Sequence, residues 1–473
     1  MEFAEWVAEL SCRTNRSLAG SCVFVTKETL TDSLRTAFQS WGLLPISQRE
    51  EADFVWNELP EKKELTGTEA MARAAKYMPV TRALVDGLVA KQSLQGLRIA
   101  VCLVLEPKTS VLLQELKRAG AEVGVFAPAA EVDPRVADEL ARRDVMVEAC
   151  ATWTSEQDHA GALCLLDHLR PNLIVDDGGS FARLCKLERP ELSAQLIGVA
   201  EETTSGVRAF AAMEAAQELP WPVVAVNDSR LKTCFDNRHG TGETCVTSIQ
   251  ALFGWHCFAG VEVVVIGYGP VGEGFARRIR TLGADVCIVD GDPAAALRAR
   301  FDGFKVADIA EAFACADMVV SATGVRHTVS VEEMKLLRDG VTLAVIGGIS
   351  HELALDELPA DALRGADTDA IRELQVPDGP TLRLLANGDG VNYTAGGGNP
   401  IEVMDLSLAV QVAAIAYLVE HKGELPAKLL RLGKDDESLI AQLALAVRGA
   451  SARQVGQKSD TVPDWRLMRF SDV

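Results

Sequence analysis

Two groups of residues in this chain have the types and spacing to do chemistry. The first is Gly267-x-Gly269-x-x-Gly272, entered from the apolar run Val263 to Ile266 and followed by a helical stretch and a second apolar run ending at Asp290. Gly267 permits a tight turn, Gly269 lets the backbone approach a pyrophosphate, and Gly272 lets helix and strand pack closely. Pro270 and Val271 open a helix whose free N–H groups and positive dipole end suit phosphates. Asp290 lies 18 residues past Gly272, where a carboxylate can bond both ribose hydroxyls, which favours NAD over NADP. The second group is NDSRLKTCFDN, Asn227 to Asn237. Lys232 stands four residues before Asp236, so both heads can share one side of a helix or tight loop. Taken alone, such a spacing reads first as a surface ion pair.

The elements that must position these residues alternate between strand and helix. LRIAVCLVL, EVGVFAP, PNLIVDD and WPVVAVND read as strands, with TSVLLQELKRAG and HAGALCLLDHLR as helices between them. This texture implies a parallel sheet covered on both faces. A second α/β unit holds the glycine motif, with DMVVSAT and VTLAVIGG as its later strands. The fold class expected is therefore α/β: two doubly wound parallel-sheet domains, a substrate domain and a Rossmann domain, with a C-terminal helical segment around Leu406 to Leu418. The boundaries expected are an N-terminal extension over 1–75, a substrate-binding domain over 76–240, a dinucleotide domain over 241–390, a helix returning to the substrate domain over 391–430, and a tail over 431–473. A polar stretch around Pro60–Thr68 reads as a linker. Ligands in such sheets sit beyond the carboxyl ends of strands. That singles out Asp176-Asp177-Gly178-Gly179, Asn227-Asp228, Thr323-Gly324 and Ile346-Gly347-Gly348.

Composition narrows the partners. The 473 residues suffice for two or three domains, and 48% are hydrophobic, as in a globular chain. A net charge of −20 disfavours nucleic acid and anionic membranes. The 11 cysteines are scattered without paired CxxC motifs, and the N-terminus lacks a basic start, so reduced thiols and a cytoplasmic location are expected. No run of 18 or more apolar residues stands out as a membrane span. The histidines His159, His168, His256, His327 and His421 do not cluster with metal-ligand spacing, so no metal is expected.

The motifs together carry a resemblance. DDGG (Asp176–Gly179), EETTSGV (Glu201–Val207), NDSRLKTCFDN, GYGPVGEG, ATG (Ala322–Gly324) and VNYTAGGGNP (Val391–Pro400) follow one another as in the S-adenosylhomocysteine hydrolase family, which the chain resembles from about Leu97 to Leu418. The resemblance implies a tightly held NAD that transiently oxidises a ribose 3′-hydroxyl, acidifies the 4′ C–H and permits elimination at the 5′ carbon, the cofactor being regenerated within the cycle. It implies roles for individual residues. Lys232 would assist the 3′ oxygen and Asp236 would hold and tune it. Glu202 and Thr203 would grip the 2′-hydroxyl, and Asp177 would accept the 4′ proton. Thr203, Thr204, Ser205 and Asn237 would line the nicotinamide end, with Asn392 on its carboxamide. Asn399 and Met404 would join the substrate wall. It also implies a homodimer or homotetramer.

The departures from the family are concentrated. Its histidine after the first strand becomes Val104, and its base-reading Thr and Glu become Glu106 and Lys108. The cysteine after the FDN loop becomes Thr241. A later histidine becomes Gly348, unless His351 returns to the site, and the histidine of G-H-P becomes Asn399. In the tail, Val462 and Arg466 stand where the family has a Lys and a Tyr. Residues for redox chemistry on the sugar persist, while those serving the leaving group and incoming water are replaced. The expectation is retained oxidation and elimination on a nucleoside with an altered 5′ outcome, such as net dehydration to a 4′,5′-unsaturated sugar. Hydrolysis as in the family proper, or a non-catalytic NAD-binding role, are the alternatives. His239, two residues past Asn237, is a candidate replacement acid or base. Glu402 and Asp405 read as dipole partners at the start of the late helix.

Overall fold

The computed structural model describes residues 1–347, 351–359, 361–366, 369–394 and 396–452. It contains two large sheets. The first has seven strands, and all its pairings are parallel. Across the sheet the strands run Leu429–Leu430, Val223–Ala225, Gly198–Glu201, Leu173–Asp176, Arg98–Cys102, Glu122–Phe126 and Met146–Glu148. Its central strands are Val/Ile/Leu/Ala-rich and buried, as expected where helices cover both faces. The second sheet has eight strands. Its first five run Lys305–Val306, Asp285–Val289, Glu262–Ile266, Met318–Ser321 and Thr342–Val345, which is the 3-2-1-4-5 order of a doubly wound nucleotide fold. Thr381–Leu385 continues the parallel run, and Ile371–Gln375 and Leu363–Arg364 add an antiparallel edge that the alternating pattern did not predict.

The helix Ile401–Glu420 crosses back and packs on the substrate sheet's helices Pro79–Lys91 and Pro107–Arg118. It is long and apolar enough to span a bilayer by length and composition, which the search for apolar runs overlooked, but 72% of that stretch is buried within the fold. Polar residues in its sequence are pinned. Asp405 accepts from the backbone N–H groups of Val80 (2.9 Å) and Thr81 (2.8 Å), so it caps the neighbouring helix and not its own. Glu402 pairs with Arg16 at 2.6 Å and accepts from Ser17 N at 2.9 Å. The reading of Asp405 as a dipole partner of its own helix is thus corrected, while Glu402 does lie in the first turn of that helix. Beyond it, Leu429–Leu430 extends the substrate sheet and Lys434–Val447 is a helix packed on Pro79–Lys91, so the presumed tail is part of the substrate domain to about residue 447.

The first 75 residues are likewise not one extension. Helix Gly67–Lys76, closed by a Thr66–Glu69 capping box, packs on helices Pro107–Arg118 and Pro134–Ala141 of the substrate domain. What precedes it is a small α/β module with its own three-stranded parallel sheet, Leu44–Ile46, Cys22–Phe24 and Phe54–Val55. Its core is aromatic: Trp6, Phe38 and Trp41 are fully buried, and Phe3 and Trp56 pack around them. This core is continuous with that of the dinucleotide domain.

Candidate functional site

The strand ends on the substrate side use adjacent acids for different tasks. Asp176 is fully buried and accepts from the N–H groups of Phe181 (3.3 Å) and Ala182 (2.7 Å), fixing the start of helix Ser180–Glu188. Asp177, one residue on, faces a cavity. Glu201 accepts from Gly178 N (3.0 Å), Gly179 N (2.9 Å) and Thr203 N (2.8 Å) and so shapes the loops, whereas Glu202 faces the same cavity as Asp177. Glu202 Oε2 accepts from Gln411 Nε2 at 2.6 Å, and its Oε1 is buried with no partner. An unpartnered buried carboxylate oxygen is costly unless a ligand hydroxyl completes it.

From Lys232 the chain enters a wide π turn, Thr233–Thr241. Such i to i+5 turns are rare and occur mostly at functional sites. Here it brings Lys232, Asp236 and Asn237 to one side. Lys232 Nζ donates to Asn237 Oδ1 at 2.8 Å and lies 3.3 Å from Asp236 Oδ2. The pair is buried, not on the surface as the spacing alone suggested. Burial pulls the Lys232 pKa down, but Asp236, Glu202 and Asp177 outweigh it and the net shift is upward. Asp236 also accepts from Ser407 Oγ at 3.0 Å and from Asn399 Nδ2. Asn399 Oδ1 in turn accepts from Asn392 Nδ2 at 3.0 Å. The residue standing in for the family's histidine is thus an amide tying Asp236 to Asn392. Burial raises the acids opposite: Glu202 to about 8, and Asp177 upward against the opposing pull of Lys232 and a bond from Thr203.

These residues surround one cavity of about 460 Å³. Its walls bring together Asp177, Glu202, Thr203, Thr204, Ser205, Lys232, Asp236, Asn237, Asn392, Asn399 and Met404 with Val271, Gly324, Ile346 and Gly347 of the dinucleotide domain, and Glu106 at the far side. A furanose has room there beside the dinucleotide domain. The glycine turn lies just behind Val271. Gly267 has φ +96°, a Cβ on Gly272 would stand 1.9 Å from Gly267 O, and a Cβ on Gly269 would meet nothing within 4 Å. The turn is therefore tight at two positions and open at the one that must admit a phosphate, ahead of the N-terminus of helix Pro270–Thr281. Asp290 is oriented by Tyr268 N (2.6 Å) and Asp292 N (2.8 Å), which leaves carboxylate lone pairs for ribose hydroxyls. These residues fit NAD: Gly267–Gly272 would hold its pyrophosphate, Asp290 a ribose, and Thr204, Ser205, Asn237 and Asn392 the nicotinamide end.

Three expected or candidate site residues, His239, His351 and Lys108, lie elsewhere. His239 does not line the cavity. Its Nδ1 faces Arg278 Nη2 at 3.2 Å, and burial, Arg278 and Arg238 drive its pKa down to about 4. Thr323 stands beside the glycine turn, its Cγ2 3.0 Å from where a Cβ on Gly267 would sit, and its N–H donates to the buried Glu352 at 3.1 Å. His351 is exposed and faces Asp356 at 3.7 Å, so it does not replace the lost histidine. Lys108 is 1% exposed and sits in a second cavity, where protein atoms take all its protons. Gly348, Val462 and Arg466 lie outside the described residues, which contain no cluster suited to a metal ion. Sequence reasoning missed Ser407 and Gln411, which hold Asp236 and Glu202. Their signal was available: two polar residues at i, i+4 within the apolar stretch Leu406 to Leu418.

Comparison with known proteins agrees with this geometry. The description "S-adenosyl-L-homocysteine hydrolase" matches residues 60–190, and "S-adenosyl-L-homocysteine hydrolase, NAD binding domain" matches residues 238–398. The adenosylhomocysteinase of Thermococcus kodakarensis is 38% identical over 396 residues, 83% of this chain and 93% of that protein. The S-inosyl-L-homocysteine hydrolase of Methanopyrus kandleri is 35% identical over 393 residues, 82% and 92% of the two chains. The adenosylhomocysteinase of Thermotoga maritima is 34% identical over 398 residues, 83% and 97%.

Proposed function

The chain belongs to the S-adenosyl-L-homocysteine hydrolase family and binds NAD, and from that premise we propose that it acts on a nucleoside by transient oxidation at the 3′ carbon, proton removal from C4′ and elimination at C5′. The observation that carries this reading is the buried Lys232–Asp236 pair opening into the same cavity as Asp177, Glu202 and the dinucleotide-domain rim. Bound NAD supplies the hydride acceptor and donor at the sugar carbon. The chain's own residues do the rest. The Lys232 ammonium donates to the 3′ oxygen and balances the charge that develops there, while Asp236 accepts from the same hydroxyl and takes its proton as the hydride leaves, with Asn237 and Ser407 fixing the pair. Glu202 Oε1 completes its hydrogen bonding on the neighbouring hydroxyl. Asp177 accepts the proton from C4′, its burial and distance from bulk water favouring a basic carboxylate. At the 5′ side Val104 lines the wall where the resemblance expects an imidazole, and no histidine lines the cavity among the described residues. A site without that acid–base group favours an outcome in which water or another 5′ group leaves and nothing adds back, giving a 4′,5′-unsaturated nucleoside.

The second reading is hydrolysis of a nucleoside thioether, favoured by the names of the relatives. Mass spectrometry of a nucleoside panel incubated in deuterated water separates them. Deuterium at C4′ of recovered substrate, with a product lighter by one water, supports dehydration. Deuterium at C4′ with release of a thiol supports hydrolysis. No exchange at C4′ with any nucleoside sinks both.

A further inference from the structure

A second cavity, of about 400 Å³, adjoins the first and shares with it Val104, Glu106, Ala130, Glu131 and Tyr393. Its outer wall is supplied by Cys12–Asn15 at the end of helix Phe3–Thr14. That helix belongs to the small N-terminal α/β module, whose residues 1–59 fall outside both family matches. The module holds both large domains. On the dinucleotide side, Leu18 N and Ala19 N donate to the buried Glu243 at 2.9 and 3.2 Å, and Ser11 Oγ meets Thr247 Oγ1 at 3.1 Å. On the substrate side, Arg16 pairs with Glu402 at 2.6 Å, and Ile401 N donates to Asn15 O at 2.9 Å.

Asn15 sits at the junction. Its Nδ2 donates to Gly398 O at 3.1 Å, and its Oδ1 accepts from Lys108 Nζ at 2.9 Å. Lys108 spends its other two protons on Gly397 O at 3.0 Å and Glu106 Oε2 at 2.6 Å. A lysine has three N–H donors and no acceptor, so this ammonium has nothing left for a ligand. Glu106, held at Oε2 by this lysine, borders both cavities. We propose that the N-terminal module is the distal wall of the substrate site, and that Asn15 is a positioning residue which, through Lys108, fixes Glu106 as the acceptor presented to the part of the nucleoside lying farthest from the nicotinamide end. The inference rests on the nucleoside reading above and adds to it a segment that the family matches do not include.

The test uses the full-length protein with its bound NAD. Asn15→Gly is the diagnostic variant, because residue 15 has φ 49° and ψ 28°, a left-handed helix end that glycine adopts without strain. The helix end survives while the amide is lost. KM for the nucleoside that reduces the bound cofactor is expected to rise about tenfold with kcat within about twofold, the scale of a lost hydrogen bond to a charged group. Amide hydrogen exchange at Gly398 and Ile401 is expected to accelerate. Asn15→Asp keeps an acceptor for Lys108 and restores KM. Lys108→Met raises KM similarly, and the double variant with Asn15→Gly is no worse than Lys108→Met alone, because the two act through one junction. An unchanged KM in Asn15→Gly, or additive losses in the double variant, overturns the inference while leaving the nucleoside reading intact. If the wild type reduces its cofactor with no nucleoside, that reading fails by itself. The exchange measurement then decides the junction, and unaltered exchange at Gly398 and Ile401 overturns it.

Discussion

The two ends of the substrate cavity are built differently. At the nicotinamide end, two of the acids that face the cavity are backed by buried polar residues from other elements: Asp236 by Ser407 and Asn399, Glu202 by Gln411. At the far end, Glu106 is backed by one lysine, and that lysine by a residue of a separate module. A cross-braced network fixes reacting atoms to a fraction of an ångström, which catalysis requires. A single chain of contacts suffices for a wall that only selects what enters. The reacting residues at the first end, Lys232, Asp236, Asp177 and Glu202, keep the types the resemblance implies even though Asn399 and Thr241 beside them have changed, while Glu106 and Lys108 at the second end have both changed, so the chemistry and the selection have separate supports.

The largest expected effect tests the first end. Lys232→Met removes the cation that would hold the 3′ oxygen and leaves Asp236 buried without its partner. Nucleoside-dependent reduction of the bound cofactor, followed by its absorbance, is expected to fall by about a thousandfold or more, with NAD still bound. A loss below about tenfold would move the chemistry away from this pair. Next come the braces. Ser407→Ala and Gln411→Leu are each expected to lower kcat/KM by about tenfold, and the Gln411→Leu loss should depend on Glu202, so that it shrinks in a Glu202→Gln background.

These braces also mark how far the sequence could be read. The glycine turn and its acid were legible because each residue has a local task set by backbone conformation and strand position. Lys232, Asp236, Asp177 and Glu202 could be singled out by their place after strands, but not their surroundings. Nothing local tells Asp176 from Asp177: the pleat turns one into the sheet and the other to the cavity. Ser407 and Gln411 come from a helix more than 170 residues away. The N-terminal module was passed over as an extension, although three of the chain's seven tryptophans, Trp6, Trp41 and Trp56, fall in its 59 residues, a density that signals a packed core. The Lys232–Asp236 spacing was ambiguous for a related reason, since i, i+4 says nothing of burial.

A pH dependence of stability sharpens the comparison at smaller amplitude. Burial raises Glu202 and Glu131 to about 8 and Asp176 to about 7, above the unfolded carboxyl range near 4. The folded state then holds protons that the unfolded state has released. The associated stability is fully present below about pH 4 and is lost as pH rises through about 8. The melting temperature of the protein without substrate is expected to fall by several degrees between pH 6 and pH 9. Glu202→Gln, which cannot ionise, should flatten that slope, and a slope of opposite sign would show that these acids are ionised in the fold.

The smallest expected effect concerns His239, the one histidine the π turn carries near the site. Its ring is held at a pKa of about 4, so it undergoes no change of charge between pH 5 and 8, where an imidazole acid or base would normally work. Its Nδ1 is taken up by Arg278, which is committed to the buried Glu243 at 3.3 Å and through it to the module's Leu18 and Ala19. The ring therefore belongs to the packing between module and dinucleotide domain. His239→Asn is expected to leave kcat/KM within about twofold and the shape of its pH profile unchanged, while lowering the melting temperature slightly. A variant that lost one limb of the pH profile would return His239 to the reaction, and the cross-braced end of the cavity would then have to include an acid–base group reaching it only after substrate binds.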